Sequence, residues 1–311
     1  MWFLIFIGLL SGLFFSSTFI LNRLMSLEGG HWVWSASLRY AFMVLFLIVL
    51  LAVFQGRKTP WLICKLFLKN WLFWLGAGSI GFGGFYSLIC FSADYAPGWV
   101  IAATWQLTII ASLFVLMIFG RSFPLKIWGF SILIFAGVLL VNTSQVEAFD
   151  MRQLLLGGFP VLIAAFCYPI GNQLVWEAKN GNKSLPNIDS PYLENPFNKV
   201  FLLTLGSLPF WLILIAINKP PLPSSGQIIN TALVALFSGI LATSLFLFAR
   251  NKSKKPSELA AVDATQSSEV VFAMIGETLL LSAPLPNVSA FLGIAMVFTG
   301  LAFFIWFQEP V

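Results

Sequence analysis

From Trp32 to Phe54 the chain carries one charged side chain, Arg39, and it closes on the unbroken apolar run FMVLFLIVLLAVF. A stretch of this length and polarity matches the roughly 20 residues that an α-helix needs to cross a bilayer. Ten such stretches can be read along the chain. They are Trp2–Leu24, Trp32–Phe54, Leu68–Cys90, Trp99–Phe119, Leu125–Thr143, Leu154–Trp176, Phe197–Ile217, Ile228–Phe248, Leu259–Leu281 and Val288–Phe307. Membrane β-strands would instead alternate apolar and polar residues over about ten positions, and these runs do not alternate. A water-facing surface is also out of reach, because only 9% of the residues are charged against roughly 25% in soluble domains. The expected fold is an all-α integral membrane protein with the lipid bilayer as its solvent.

The opening MWFLIFIGLL lacks the basic segment that precedes a cleaved secretory signal, so the first stretch is read as a retained span. Cys64, Cys90 and Cys167 are odd in number and lie mostly within apolar runs. They read as small apolar fillers rather than a disulfide framework.

The net charge of +5 could suggest a nucleic-acid partner, but its distribution argues otherwise. With the N-terminus inside, the cytoplasmic connections hold Arg57, Lys58, Lys65, Lys69, Arg121, Lys126, Lys179, Lys183, Lys199, Arg250, Lys252, Lys254 and Lys255. The outer loops hold only Arg152 and Lys219. Thirteen against two is the positive-inside bias that orients membrane proteins. It predicts cytoplasmic termini and leaves no role for nucleic acid. One connection stands out by length: residues 177–196, EAKNGNKSLPNIDSPYLENP, whose Asn, Pro and Ser content reads as a polar, poorly packed cytoplasmic loop.

A cut near Glu147–Arg152 leaves five spans on each side, 1–150 and 151–311. Because five is odd, two like halves must be inverted repeats, a plan typical of secondary transporters. Weak internal matches follow it. FILNRL with Asn22 is echoed by PIGNQL with Asn172 at an offset of 150, and TWQ with Gln106 by ATQ with Gln266 at an offset of 160. Pro124 falls on Pro284 at that second offset. Small residues support close approach of helices, with Gly76, Gly78, Gly81, Gly83 and Gly84 in the third span. Pro160 and Pro169 predict a kink in the sixth.

Charges inside spans are costly and face a cavity or a partner. Arg39 lies in the second span, and Asp263, Glu269 and Glu277 lie in the ninth. On a helix, Asp263, Gln266, Glu269, Ala273 and Glu277 share an arc of about 120°, so one face is acidic and must look inward. Arg39 and Glu277 fall at similar depth and could form a structural ion pair. Glu269 lies near the midplane without an evident basic partner, which makes it the candidate for substrate or proton coupling. Asn22, Trp105, Gln106, Tyr86, Tyr168, Asn172 and Gln266 could line a pocket beside it, with Asp263 below. Rings beside a carboxylate suit an organic cation, and they suit a neutral planar metabolite equally well. The single His31 borders Trp32 at an outer loop. No paired Cys or His metal set, acidic diphosphate cluster or GxxxxGK[ST] loop occurs, so neither an enzyme nor a metal or other cofactor is expected.

Three blocks carry a family resemblance: GLLSGLFFSSTFILNRLMSLEGGHWVWSASLRY, YAPGWVIAATWQLTIIAS and PVLIAAFCYPIGNQ. They resemble the multidrug resistance efflux transporters of the drug/metabolite transporter superfamily (EamA-like), over essentially the whole chain. The resemblance implies a bacterial plasma-membrane exporter of ten helices in two inverted repeats. Its cavity would lie between the halves, its fifth and tenth helices would be peripheral, and it would work by alternating access. The expected activity is proton-coupled export of a small organic solute, cationic or amphipathic. A metabolite facilitator or exchanger, for amino acids, nucleobases or sugars, is the alternative, and a membrane receptor or scaffold the more remote one. A monomer or a homodimer would serve, the latter through Gly129, Gly137, Gly293 and Gly300.

Overall fold

In hydrocarbon no water can satisfy a backbone N–H or C=O, so each spanning segment must close its own hydrogen bonds as a helix. The computed structural model describes residues 1–144, 152, 154–182, 184–253 and 256–307. Among them it contains helices and no strand. Lys183, Lys254, Lys255 and most of the proposed boundary at 147–152 lie outside the described residues.

Eight helices are long and apolar enough to cross a membrane. They are α1 (Trp2–Leu27), α2 (Trp32–Phe54), α4 (Trp71–Ser92), α5 (Gly98–Ile118), α7 (Leu155–Lys179), α8 (Pro196–Asn218), α9 (Ser225–Lys252) and α11 (Val288–Phe307). Three further helices lie among the described residues: α3 (Thr59–Lys69), α6 (Leu125–Thr143) and α10 (256–280). The last is interrupted by a 3₁₀ turn at Thr265–Ser267.

Local chemistry explains the ends. The α1–α2 turn passes through Gly29 at φ +78, a conformation that favours glycine. His31 then caps α2, its Nδ1 accepting from the Val33 N–H. Asn195 caps α8 through the Phe197 N–H, with Pro196 at the first helical position. Lys219 ends that helix in the left-handed region, at φ 45.

Two expectations need correction. The third span was expected from Leu68, but Asn70, at φ −130 and ψ 39, breaks the helix and separates α3 from α4. Lys69 and Asn70 stand at the joint between apolar runs on both sides, and hydropathy taken over about 20 residues passes over so short a polar step. The 177–196 connection, expected to be poorly packed, is folded onto the bundle. Ile188 and Leu193 are buried in the main core, and a 3₁₀ turn forms at Pro191–Glu194. The Asn198 amide donates to the Tyr192 carbonyl at 2.9 Å, and Lys179 meets Glu194 at 2.6 Å. Its few apolar residues, rather than its polar majority, decide where it sits.

Packing follows the glycines. α7 lies against α4 and α5, whereas α1 lies against α9 and α10. α2 packs on α8 and α9, α8 on α4, and α6 on α11. At the α4–α7 crossing a Cβ on Gly81 would come within 2.9 Å of the Gly171 Cα, so two glycines meet face to face. At the α6–α11 crossing Gly137 and Gly293 are reciprocal, each Cβ position lying 2.7 Å from the other's carbonyl. Gly300 also meets α6, so three of the four glycines offered for a dimer face are used within the chain; Gly129 faces open space.

Candidate functional site

The helices nearest the centre are irregular where polar residues sit. α4 widens into a π-helix at Ser79–Gly84 and α9 does so at Ala235–Ala242. Such bulges often mark functional positions, because they re-aim side chains and release backbone groups. α5 is interrupted between Trp105 and Thr108, beside Gln106, and α10 at Thr265–Ser267, around Gln266. Gln106 is buried and its amide donates weakly to the Ala102 carbonyl at 3.4 Å. The Gln266 Nε2 is buried and has no partner.

Glu269 opens the second segment of α10 and is 7% exposed. No described side chain forms a hydrogen bond or ion pair with it. α1 approaches closely on this side, since a Cβ on Gly12 would lie 3.7 Å from the Glu269 nitrogen. The neighbouring Ser268 Oγ is buried without a partner.

Of the expected aromatic residues, Trp105 and Tyr168 meet, with Phe85 beside both. The Tyr168 ring lies 5.2 Å from Phe85 and 5.7 Å from Trp105, centroid to centroid, and Phe85 and Trp105 are 4.7 Å apart. Tyr168 is within the electrostatic reach of both Glu269 and Arg39. Asn172 donates to the Tyr168 carbonyl one turn back at 2.9 Å, so its amide is tied to its own helix and remains exposed.

Asn22 and Tyr86 form a second group. The Asn22 Nδ2 donates to the Tyr86 hydroxyl at 2.9 Å, and both side chains are buried. The Arg39 guanidinium lies over the face of Tyr86, 4.0 Å from its centroid, a cation–π contact. Its Nη2 donates to Ser238 Oγ at 3.1 Å, which joins α2 to the π-helical part of α9. Tyr40 supports Tyr86 from the side and stacks on Trp211 at 5.0 Å.

The expected Arg39–Glu277 pair is not formed. Glu277 is 1% exposed and its Oε1 accepts from the Gly98 N–H at 2.6 Å. It caps α5 from another helix, because the first N–H groups of a helix lack internal acceptors and carry positive partial charge. The cation whose field reaches Glu277 is Arg23, which itself donates to the Ala93 carbonyl at 2.7 Å. In the same turn, burial lifts the Asp94 carboxyl above the usual carboxylate range, against the opposing pull of Ser26, His31 and Arg23. Asp263 is committed as well, paired with Arg250 at 3.3 Å. Glu269 and Glu277 are buried and Asp263 is partly exposed, and the partners of Glu277 and Asp263 come from other helices.

Sequence reasoning passed over Phe85, Tyr40, Trp211 and Ser238. Phe85 is one of 33 phenylalanines, and nothing local distinguishes Ser238. Only the packing of α2 against α9 shows that a hydroxyl there meets a guanidinium.

Comparison with known proteins agrees with this multi-pass architecture. Residues 2–310 match the family model described as "Putative multidrug resistance efflux transporter" (EmrE). The chain is 40% identical to Uncharacterized protein YjlA of Bacillus subtilis (strain 168), over 98% of this chain and 94% of that protein. It is 37% identical to an uncharacterized 42.1 kDa protein of Shouchella clausii, over 85% of this chain and 69% of that one. A solved crystal structure of a protein at 13% identity shares the fold, with a TM-score of 0.60 over 96% of this chain and 95% of the other. The class is therefore a multi-pass membrane protein of a transporter family. The chain belongs to the multidrug resistance efflux transporter family, whose description is that of small-molecule efflux.

Proposed function

We infer that the protein is a secondary active exporter of small organic solutes, cationic or amphipathic, working by proton-coupled alternating access. The observation that carries this reading is Glu269: a carboxylate buried at a helix break, unpaired among the described residues and within electrostatic reach of Tyr168. A carboxylate that holds either a proton or a cationic solute makes the two compete, which is the minimum an antiporter requires.

Two five-helix repeats, 1–150 and 151–311, with cytoplasmic termini in a bacterial plasma membrane, complete the reading. In this scheme α1, α2, α4, α5 and α6 correspond to α7 to α11. Paired irregularities support it, since both proposed third helices carry a π-helix and both proposed fourth helices break beside a Gln. The packing is also swapped symmetrically, α1 lying on the second half's third and fourth helices and α7 on the first half's. Such an arrangement lets one hairpin pair rock against the other about a fixed site.

The test is flux in proteoliposomes under an imposed pH gradient. Glu269→Gln mimics the protonated carboxyl, so it should abolish gradient-driven flux and weaken cation binding, with the fold intact. In the wild type, cation affinity should fall as the pH drops, because protonation removes the carboxylate charge. Normal flux in the mutant with unchanged pH dependence would make Glu269 structural. A second reading, a metabolite carrier, is favoured by one feature: Arg39 has no carboxylate partner among the described residues.

A further inference from the structure

A guanidinium has five N–H donors and cannot shed its charge. The partners of Arg39 are Ser238, which accepts from Nη2, and the Tyr86 side chain, which lies under the guanidinium. Its Nη1 is buried with no partner. Neither ion pair found among the described residues, Lys179–Glu194 and Arg250–Asp263, involves it. A charge left this way in a membrane span is costly, and the unmet Nη1 donors of a guanidinium suit a carboxylate oxygen.

Beside it lies the complementary vacancy. The Asn22 Nδ2 is used on the Tyr86 hydroxyl, but its Oδ1 is buried and accepts nothing. An unmet donor and an unmet acceptor are thus both anchored to one tyrosine, with groups from α1, α2, α4 and α9 converging there. Glu269 is a different place. It lies beside Gly12, ten positions down α1 from Asn22, or about 15 Å along the helix.

We propose that Arg39, over the ring of Tyr86, and Asn22, at its hydroxyl, form a subsite for a solute bearing a carboxylate next to an amine. The guanidinium takes the carboxylate, and the Asn22 Oδ1 accepts from the ammonium. Ser238 positions the guanidinium from the second half of the chain. This rests on the transporter reading but not on cation binding at Glu269, and it gives the solute class as a zwitterion.

The test uses purified full-length protein and matched probes. Alanine, valine and leucine are each compared with the corresponding decarboxylated amine and deaminated acid, with thermal stabilisation as the readout, since a ligand bound to the native state raises apparent stability. At least one zwitterion should stabilise the wild type more than either of its half-probes. Arg39→Gln should weaken the zwitterion and its acid by about tenfold or more while leaving the amine unchanged, a loss of the size expected for a charged contact. Asn22→Ala should weaken the zwitterion and its amine and spare the acid. If Arg39→Gln does not fold, Arg39→Lys, which keeps the charge but loses the fork, should weaken the same two probes. No stabilisation by any zwitterion, an amine that binds as well as its zwitterion, or binding indifferent to Arg39 would each overturn the subsite. Gradient-driven flux that depends on Glu269 would survive that result. Conversely, Arg39-dependent binding with flux insensitive to Glu269 would sink the coupling mechanism alone.

Discussion

Glu277 allows the sharpest test of how charge is handled in this bundle. Its carboxylate accepts from the first N–H of α5 at 2.6 Å, at 1% exposure. Glu277→Ala removes a charged, buried hydrogen bond and leaves a helix N-terminus uncapped, which should cost about 1.5–3 kcal/mol. Glu277→Gln keeps a carbonyl oxygen where the acceptor stands and loses only the charge, so about 1 kcal/mol is expected. The decisive quantity is the coupling with Arg39. Because Arg39 meets Tyr86 and Ser238 instead, the effects of Arg39→Gln and Glu277→Gln should add to within about 0.5 kcal/mol. A desolvated ion pair would give a coupling of about 1.5 kcal/mol or more. The assay is equilibrium unfolding in mixed micelles, followed by tryptophan fluorescence, for the wild type, both single mutants and the double mutant. A coupling above about 1 kcal/mol, or an alanine variant no weaker than the glutamine one, would refute the capping role.

Three further outcomes are expected. In a cysteine-free background, single cysteines at positions 58 and 219, both exposed, should react with an impermeant reagent from opposite sides of the membrane; labelling of position 58 from outside intact cells would invert the topology. Gly137→Ala drives a methyl into the Gly293 carbonyl and the Met296 side chain and should cost about 1–3 kcal/mol. Gly129→Ala meets open space and should be neutral or stabilising by up to about 1 kcal/mol, and equal effects at the two sites would contradict the α6–α11 crossing. Leu193→Ala should destabilise by about 2–5 kcal/mol, because Leu193 is fully buried, whereas Lys179→Ala should leave unfolding unchanged. The Lys179 ammonium holds the exposed Glu194 carboxyl below the usual range, so this pair persists at neutral pH and is lost as the pH falls through that carboxyl's titration. A loop indifferent to Leu193→Ala would be the unpacked linker that its composition suggests.

The sequence alone determined the solvent and the kind of secondary structure. Long apolar runs with few charges leave only helices in lipid, and the eight apolar spans fall within a few residues of where hydropathy puts them. The acidic face of α10 was equally legible, because a helix repeats its faces every 3.6 residues and Glu269 and Glu277 are both buried. The break at Asn70 and the packing of Ile188 and Leu193 were not legible: the first is a two-residue polar step, Lys69–Asn70, between apolar runs, and the second depends on a surface built by distant residues. Partner choice also belonged to the tertiary structure. Arg39 and Glu277 are opposite in charge and are expected at similar depth, yet Glu277 caps α5 and Arg39 rests on Tyr86. Depth along a helix can be counted from sequence, but the direction each face takes is decided by how the helices cross. Those crossings are set where Gly81 meets Gly171 and Gly137 meets Gly293, since backbones without Cβ atoms can come closest there.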